Sequence, residues 1–408
     1  MKDTIRLYDT DPYGRTFESM ILRARVPEDR LCPDKDSLGE EPLLMEVILE
    51  ATLFFPEEGG QTPDTGTLNG CPVTDVQIRD GVITHTVEVP PGRAGEFSEG
   101  AAVSGCIDWE ERFSNMQNHS GEHIISGLLH KTYGFNNIGF RLSRNTVTLD
   151  FDGQPEPEKI FGIEEAANRV VWQDLPILAE YPSPQALAAM EYRSKIELEK
   201  DVRIVTIPGV DACACCAPHV KRTGEIGMIR IMKIQRFHGG TRLTIVCGRR
   251  ALHLTRTLQG ALEEVSRLTS RPQEAIGEGV RLLQEENAAL RFRIGELERE
   301  IRALKLDRLS GDQKNVFLAE KDLSPAAQRE MVNSLCEKTG GMCGVFAGSD
   351  QEGYKFIIGG GNEDARKGAA ALREAFGARG GGKREMVQGA VRAPWEEIEA
   401  CLRESCRS

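Results

Sequence analysis

Two pairs of metal-binding side chains, far apart in the chain, limit what this sequence can fold into more than any other feature. The first is His119 and His123, in Met116-Gln117-Asn118-His119-Ser120-Gly121-Glu122-His123, followed by Ile124, Ile125, Leu128 and Leu129. That apolar spacing predicts an amphipathic helix. Residues four apart on a helix share one face, one turn apart, so the two imidazoles can grip one ion. The second pair lies in Cys213-Ala214-Cys215-Cys216-Ala217-Pro218-His219, where Cys215 and His219 repeat the four-residue step. His119, His123, Cys215 and His219 make a zinc donor set, so the fold must carry a helix and a distant loop to one point. The blander alternative is packed histidines and inert thiols. Two matching steps in zinc's preferred donors weigh against it.

At 408 residues the chain is long enough for two or three domains. The start, Met1-Lys2-Asp3-Thr4-Ile5-Arg6, lacks the apolar core of a signal peptide, and no apolar run is long enough to span a bilayer. A cytoplasmic protein without a membrane is expected. The eleven cysteines argue against a disulfide framework and for reduced thiols, some of them ligands. A net charge of −12 disfavours nucleic acid on average, although an acidic protein can carry a local basic site.

Short apolar alternations make residues 1–105 read as a small, mostly β domain resembling a barrel, whose closure periodicity cannot show. It contains the loop Pro56-Glu57-Glu58-Gly59-Gly60-Gln61-Thr62-Pro63-Asp64-Thr65-Gly66, which is either a plain turn or a place where a ligand nears the backbone. Residues 106–249 read as an α+β domain, with the cysteine cluster on a loop held by a sheet. Residues 250–312 read as helical. There Leu283, Leu290, Leu297 and Leu304 fall seven apart, with Val280, Asn287, Ile294 and Ile301 on the other seam position. A buried Asn at such a position fits a parallel two-stranded coil, so 273–309 predicts a homodimer. The alternative is a hairpin with the helix of residues 250–270. Residues 313–408 read as an α/β domain, and the fold class is α+β overall.

With these residues in view, the chain resembles a freestanding alanyl-tRNA editing protein of the long form. The editing domain of alanyl-tRNA synthetases pairs an HxxxH helix with a distant CxxxH loop, as do His119, His123, Cys215 and His219 here. Its Gly-Gly-Gln loop with a following Asp-x-Gly matches Gly59, Gly60, Gln61, Asp64 and Gly66, and Val220 to Gly227 is also similar. The last domain resembles the DHH-associated domain, whose glycine-rich segment matches Gly380 to Gly389. The family loop often reads Cys-Gly-Gly-Thr-His, whereas Cys216, Ala217 and Pro218 stand here. Cys213 and Cys216 therefore compete with Cys215 as the thiolate ligand, and spacing favours Cys215. Nothing in the chain resembles the adenylating domain of the synthetase.

The resemblance implies an aminoacyl-tRNA deacylase that hydrolyses mischarged tRNA(Ala) in trans. Its substrates would be Ser-tRNA(Ala) and Gly-tRNA(Ala), and its cofactor one Zn2+ per chain. The zinc would activate water, polarise the ester carbonyl or anchor the substrate amine. His119 or His123 could instead serve as a base. An alanine pocket rejects an added hydroxyl by only about 10²-fold, so a second hydrolytic site is needed. That site must prefer serine to alanine, which makes Thr52 or Gln61 the expected hydrogen-bond partner of the serine hydroxyl. Arg379, Gly380, Gly381, Gly382, Lys383 and Arg384 would meet tRNA phosphate through backbone amides and cations. The alternatives are a non-catalytic tRNA-binding dimer with a structural zinc, a different zinc hydrolase, and a threonyl-tRNA editing domain.

Overall fold

The computed structural model describes residues 2–27, 42–194, 202–309 and 313–407. The chain forms two compact units, Met1–Glu264 and Val265–Ser408.

The first unit holds a closed antiparallel barrel. Its strands run, side by side, Thr16–Arg25, Leu43–Leu49, Val82–Val89, Cys71–Arg79, Gly66–Leu68 and Ala102–Ile107, the last pairing again with the first. Alternation sets the inside: Met45, Val47 and Leu49 face in from one strand, and Ile83, His85, Val87 and Val89 from its neighbour. Closure gives every barrel strand a neighbour on both sides. The barrel-like expectation is thus met.

Beside the barrel runs the central helix, Trp109–Tyr133. Asp108 caps it by accepting from the Glu111 amide, and Gly134 ends it in the left-handed conformation at φ 73°. The expected amphipathic helix is in fact buried on nearly all sides from Ser114 to Gly127. Ile124, Ile125 and Leu129 fill one apolar core with the sheet. Asn115, Asn118, Ser120, Glu122 and Ser126 are buried too, because the helix is enclosed rather than laid on a surface. Buried polar side chains need partners. Asn118 exchanges hydrogen bonds with the Cys247 backbone, and Ser126 and Asn137 both donate to Glu122.

The helix packs on an antiparallel sheet ordered Ile229–Phe237, Gly240–Cys247, Val147–Phe151 and Asn137–Leu142. A second sheet, Leu178–Glu180, Ile204–Ile207 and Asp211–Ala214, delivers the chain into the cysteine loop. Gly127 lets the helix approach this sheet closely, since a Cβ there would lie 2.6 Å from the Val210 carbonyl oxygen and 2.7 Å from Asp211 Cβ. Arg112, 0% exposed, ion-pairs with Asp64 and donates to the Leu53 carbonyl, which ties the helix to the barrel loop.

The second unit contains the helix Ile276–Asp307 and a five-stranded sheet. The sheet order is Phe317–Glu320, Cys343–Ser349, Gly353–Gly359, Met386–Val391 and Arg379–Gly382, with only the first pair parallel. Helices Pro325–Thr339, Ala365–Phe376 and Trp395–Ser405 complete it. The heptad residues stand exposed, from 41% at Val280 and Leu297 to 62% at Leu304. The glycine-rich stretch forms a hairpin. Arg379–Gly382 pairs with Met386–Val391, and Cβ atoms at Gly380 or Gly382 would strike the facing backbone within 2.3 Å. Among the described residues no helix is long and apolar enough to cross a membrane.

Candidate metal centre

Helix and loop do converge. One donor atom from each of His119, His123, Cys215 and His219 lies within 4.8 Å of all the others. Cys215 Sγ is 3.5 Å from His119 Nε2 and 3.3 Å from His219 Nε2. The three imidazole centroids are 4.7 to 5.5 Å apart.

The orientation of each ring is fixed from behind. His119 Nδ1 donates to Gln61 Oε1 at 2.7 Å and His123 Nδ1 to Asp211 Oδ2 at 3.0 Å, and His219 Nδ1 is hydrogen-bonded with Ser120 Oγ at 3.0 Å. A neutral imidazole whose Nδ1 carries the proton offers its lone pair at Nε2. All three rings therefore present Nε2 to the same space as the Cys215 sulfur. Arg193 clamps Asp211 with two hydrogen bonds of 2.7 and 2.8 Å, which holds the carboxylate behind His123. Orienting partners of this kind mark metal-ligating histidines. The donor set fits a single zinc-like ion, with one thiolate and three imidazoles.

The electrostatics favour a thiolate at Cys215 and a neutral ring at His219. Burial pushes the Cys215 thiol up, but the His119 and His219 rings outweigh it and hold it well below the ordinary thiol value. Burial lowers His219 to about 3. His123 is desolvated, yet its bonds to Asp211 and Cys215 raise it well above the usual imidazole range. Of the competing thiols, Cys213 groups only with His123 and Asp211, and burial raises it. Cys216 is also raised, by burial and then by the Cys215 thiolate. Cys215 is the thiol that stands with all three imidazoles.

Gln61 and Thr52 part company. Gln61, 0% exposed, lies against His119, and its Nε2 has no hydrogen-bond partner. The Thr52 hydroxyl instead donates to His85 Nε2 at 2.9 Å and accepts from the Phe54 amide at 3.1 Å inside the barrel. Asp64 anchors the same loop, accepting from Arg112 and from the Phe55 amide. Arg379, Gly380, Gly381, Gly382, Lys383 and Arg384 are exposed on the edge hairpin of the second unit. Sequence reasoning missed Ser120, Asp211 and Arg193. Asp211 alone carried a signal, a carboxylate four residues before Cys215.

The family model described as "Threonyl and Alanyl tRNA synthetase second additional domain" matches residues 202–243, which include the cysteine loop. The model of class II (A) tRNA synthetases matches residues 35–111, on the barrel. The alanyl-tRNA editing protein AlaX-L of Pyrococcus horikoshii is 28% identical, over 99% of this chain and 98% of its own length. The alanine–tRNA ligases of Pyrococcus abyssi and Pyrobaculum neutrophilum are each 29% identical, over 96% and 98% of this chain. The chain spans only 42% and 44% of those ligases. Over nearly its whole length, then, the chain is a relative of the alanyl-tRNA editing protein AlaX-L and of the corresponding part of alanine–tRNA ligases.

Proposed function

We propose that this chain is an aminoacyl-tRNA deacylase that clears Ser-tRNA(Ala), and Gly-tRNA(Ala) with it, in the cytoplasm. The observation that carries the reading is the set of three imidazoles, each tied back at Nδ1 and each turning Nε2 toward the Cys215 sulfur. His119, His123, Cys215 and His219 would hold one zinc ion, which supplies Lewis acidity at the ester when bound. The protein's own groups do the rest. Gln61, Ser120 and Asp211 keep the rings in one tautomer, and Phe140, its ring 4.6 Å from that of His119, walls one side. With Thr52 engaged by His85, the polar partner for a serine hydroxyl falls to the Gln61 amide, whose Nε2 is buried and unpaired. Arg379 to Arg384 supply cations and exposed glycine backbone for tRNA phosphate, and the exposed heptad seam in 273–309 pairs two copies.

A second reading is a non-catalytic tRNA-binding dimer with structural zinc. The closed four-ligand set favours it, since catalytic zinc keeps a position open. Deacylation of Ser-, Gly- and Ala-tRNA(Ala), with and without chelator, decides between them. The deacylase reading expects chelator-sensitive loss of the seryl ester and sparing of the alanyl ester. A zinc-loaded chain that leaves all three esters intact supports the structural reading.

A further inference from the structure

The turn Glu58-Gly59-Gly60-Gln61 is closed by an antiparallel bridge between its end residues, with the Gln61 amide donating to the Glu58 carbonyl at 3.1 Å. Gly59 and Gly60 have φ of 61° and 84°, which other residues rarely adopt. Space is tight at Gly60 as well, where a Cβ would lie 2.4 Å from the Phe140 carbonyl oxygen, whereas one on Gly59 would sit in ordinary contact with Cys216 Sγ at 3.5 Å. Residues paired across such a bridge project to the same face, with Cβ atoms about 5 Å apart. Gln61 uses that face to reach His119. Glu58 lies on the same side of a turn that packs at Gly59 against Cys216 Sγ, next to Cys215.

Two atoms on this face are shielded from solvent without a hydrogen-bond partner, Gln61 Nε2 and Glu58 Oε2. The Gln61 side chain is fully buried and its Oε1 is committed to His119. The planar amide therefore turns its two N–H donors away from that ring. Arg6 is within electrostatic range of Glu58 but leaves Oε2 unbonded. A shielded, unpaired carboxylate oxygen is costly, and an ammonium group removes the cost through a charge-assisted hydrogen bond. An aminoacyl ester presents one cation, its α-ammonium, within a few bonds of its oxygens.

We propose that Glu58 anchors the α-ammonium group of the aminoacyl ester while the Gln61 amide donates to an oxygen of the same aminoacyl group. This rests on the deacylase reading above. Seryl, glycyl and alanyl esters all carry the ammonium, so Glu58 sets affinity for a free amino group and excludes N-blocked aminoacyl-tRNA. Choice among side chains is left to Gln61.

The test compares the zinc-loaded full chain with Glu58→Gln and Glu58→Asp. Binding of a non-hydrolysable 3′-seryl-amino-adenosine and of its N-acetyl form is measured by calorimetry, alongside KM for Ser-tRNA(Ala). Wild type should prefer the free amine by about 10- to 100-fold, the range of a hydrogen bond to a charged group. Glu58→Gln should lose that preference and raise KM, while retaining one metal per chain. Glu58→Asp should keep part of the preference. A Glu58→Gln protein that binds its metal and still prefers the free amine overturns the proposal, as does a wild type with no preference. Absence of deacylation by wild type would sink the underlying reading, and the calorimetry would still judge Glu58.

Discussion

Thr52→Val removes a hydroxyl that serves two partners in the barrel core. It donates to His85 Nε2 at 2.9 Å and accepts from the Phe54 amide at 3.1 Å. His85 Nδ1 is committed as donor to the Val47 carbonyl at 3.0 Å, so Nε2 must be the acceptor. Valine has nearly the same shape, but an acceptor and a donor lose their partner where Thr52, Phe54 and His85 are all 0% exposed. Each orphan costs about 1–3 kcal/mol, so the variant should lose about 2–6 kcal/mol of unfolding free energy at neutral pH. The same environment imposes a pH slope on wild type, because burial lowers His85 from 6.5 to about 4. The unfolded chain then takes up the proton first. His85 costs nothing above about pH 6.5, erodes stability as pH falls toward about 4, and adds no more below that, for a total of about 3 kcal/mol. Urea unfolding of the full chain, followed by tryptophan fluorescence in a Trp395→Phe background, reads the first unit through Trp109 and Trp172. A Thr52→Val protein within about 0.5 kcal/mol of the parent would refute the hydroxyl's double engagement. One that is destabilised yet still spares Ala-tRNA would leave side-chain discrimination to Gln61.

Asp211→Asn should weaken zinc affinity about 10- to 100-fold, because the amide holds His123 less firmly in its tautomer; competition with a chelator measures this, and unchanged affinity would remove Asp211 from the account. Cys215→Ser should abolish stoichiometric zinc by elemental analysis, whereas Cys213→Ser and Cys216→Ser should retain it. Leu290→Glu with Leu297→Glu should convert a dimer to a monomer by sedimentation, and a wild type already monomeric at micromolar concentration ends that proposal. Reversing the charges of Lys383 and Arg384 should weaken tRNA binding and flatten its salt dependence by about one unit of slope per lost phosphate contact.

The four candidate donors are legible because a helix turn and a loop step both write themselves as a four-residue interval. The groups behind the rings are not. Ser120 reaches His219 across 99 positions, and Asp211 reaches His123 across 88, so no local pattern pairs them. Barrel strands showed as alternation, yet their closure is a matter of non-neighbouring hydrogen bonds such as Thr16 to Cys106. The central helix was misread as two-faced because its apolar residues do recur helically, while the partners that satisfy its buried amides and hydroxyls lie elsewhere in the chain. The Gly380–Gly382 strand is not legible for a related reason: glycine has low strand preference, and only the facing backbone of Met386–Val391 explains it.

The clamp of Arg193 on Asp211, together with the Gln61 and Ser120 contacts, has a practical corollary for protein engineers. Copying the two four-residue signatures into another scaffold would transplant the side chains without the braces that aim them. A faithful mimic would need a barrel turn, a buried helix and a sheet edge in register, which is most of the first unit. A short synthetic peptide carrying both signatures should bind zinc loosely and in several geometries at once.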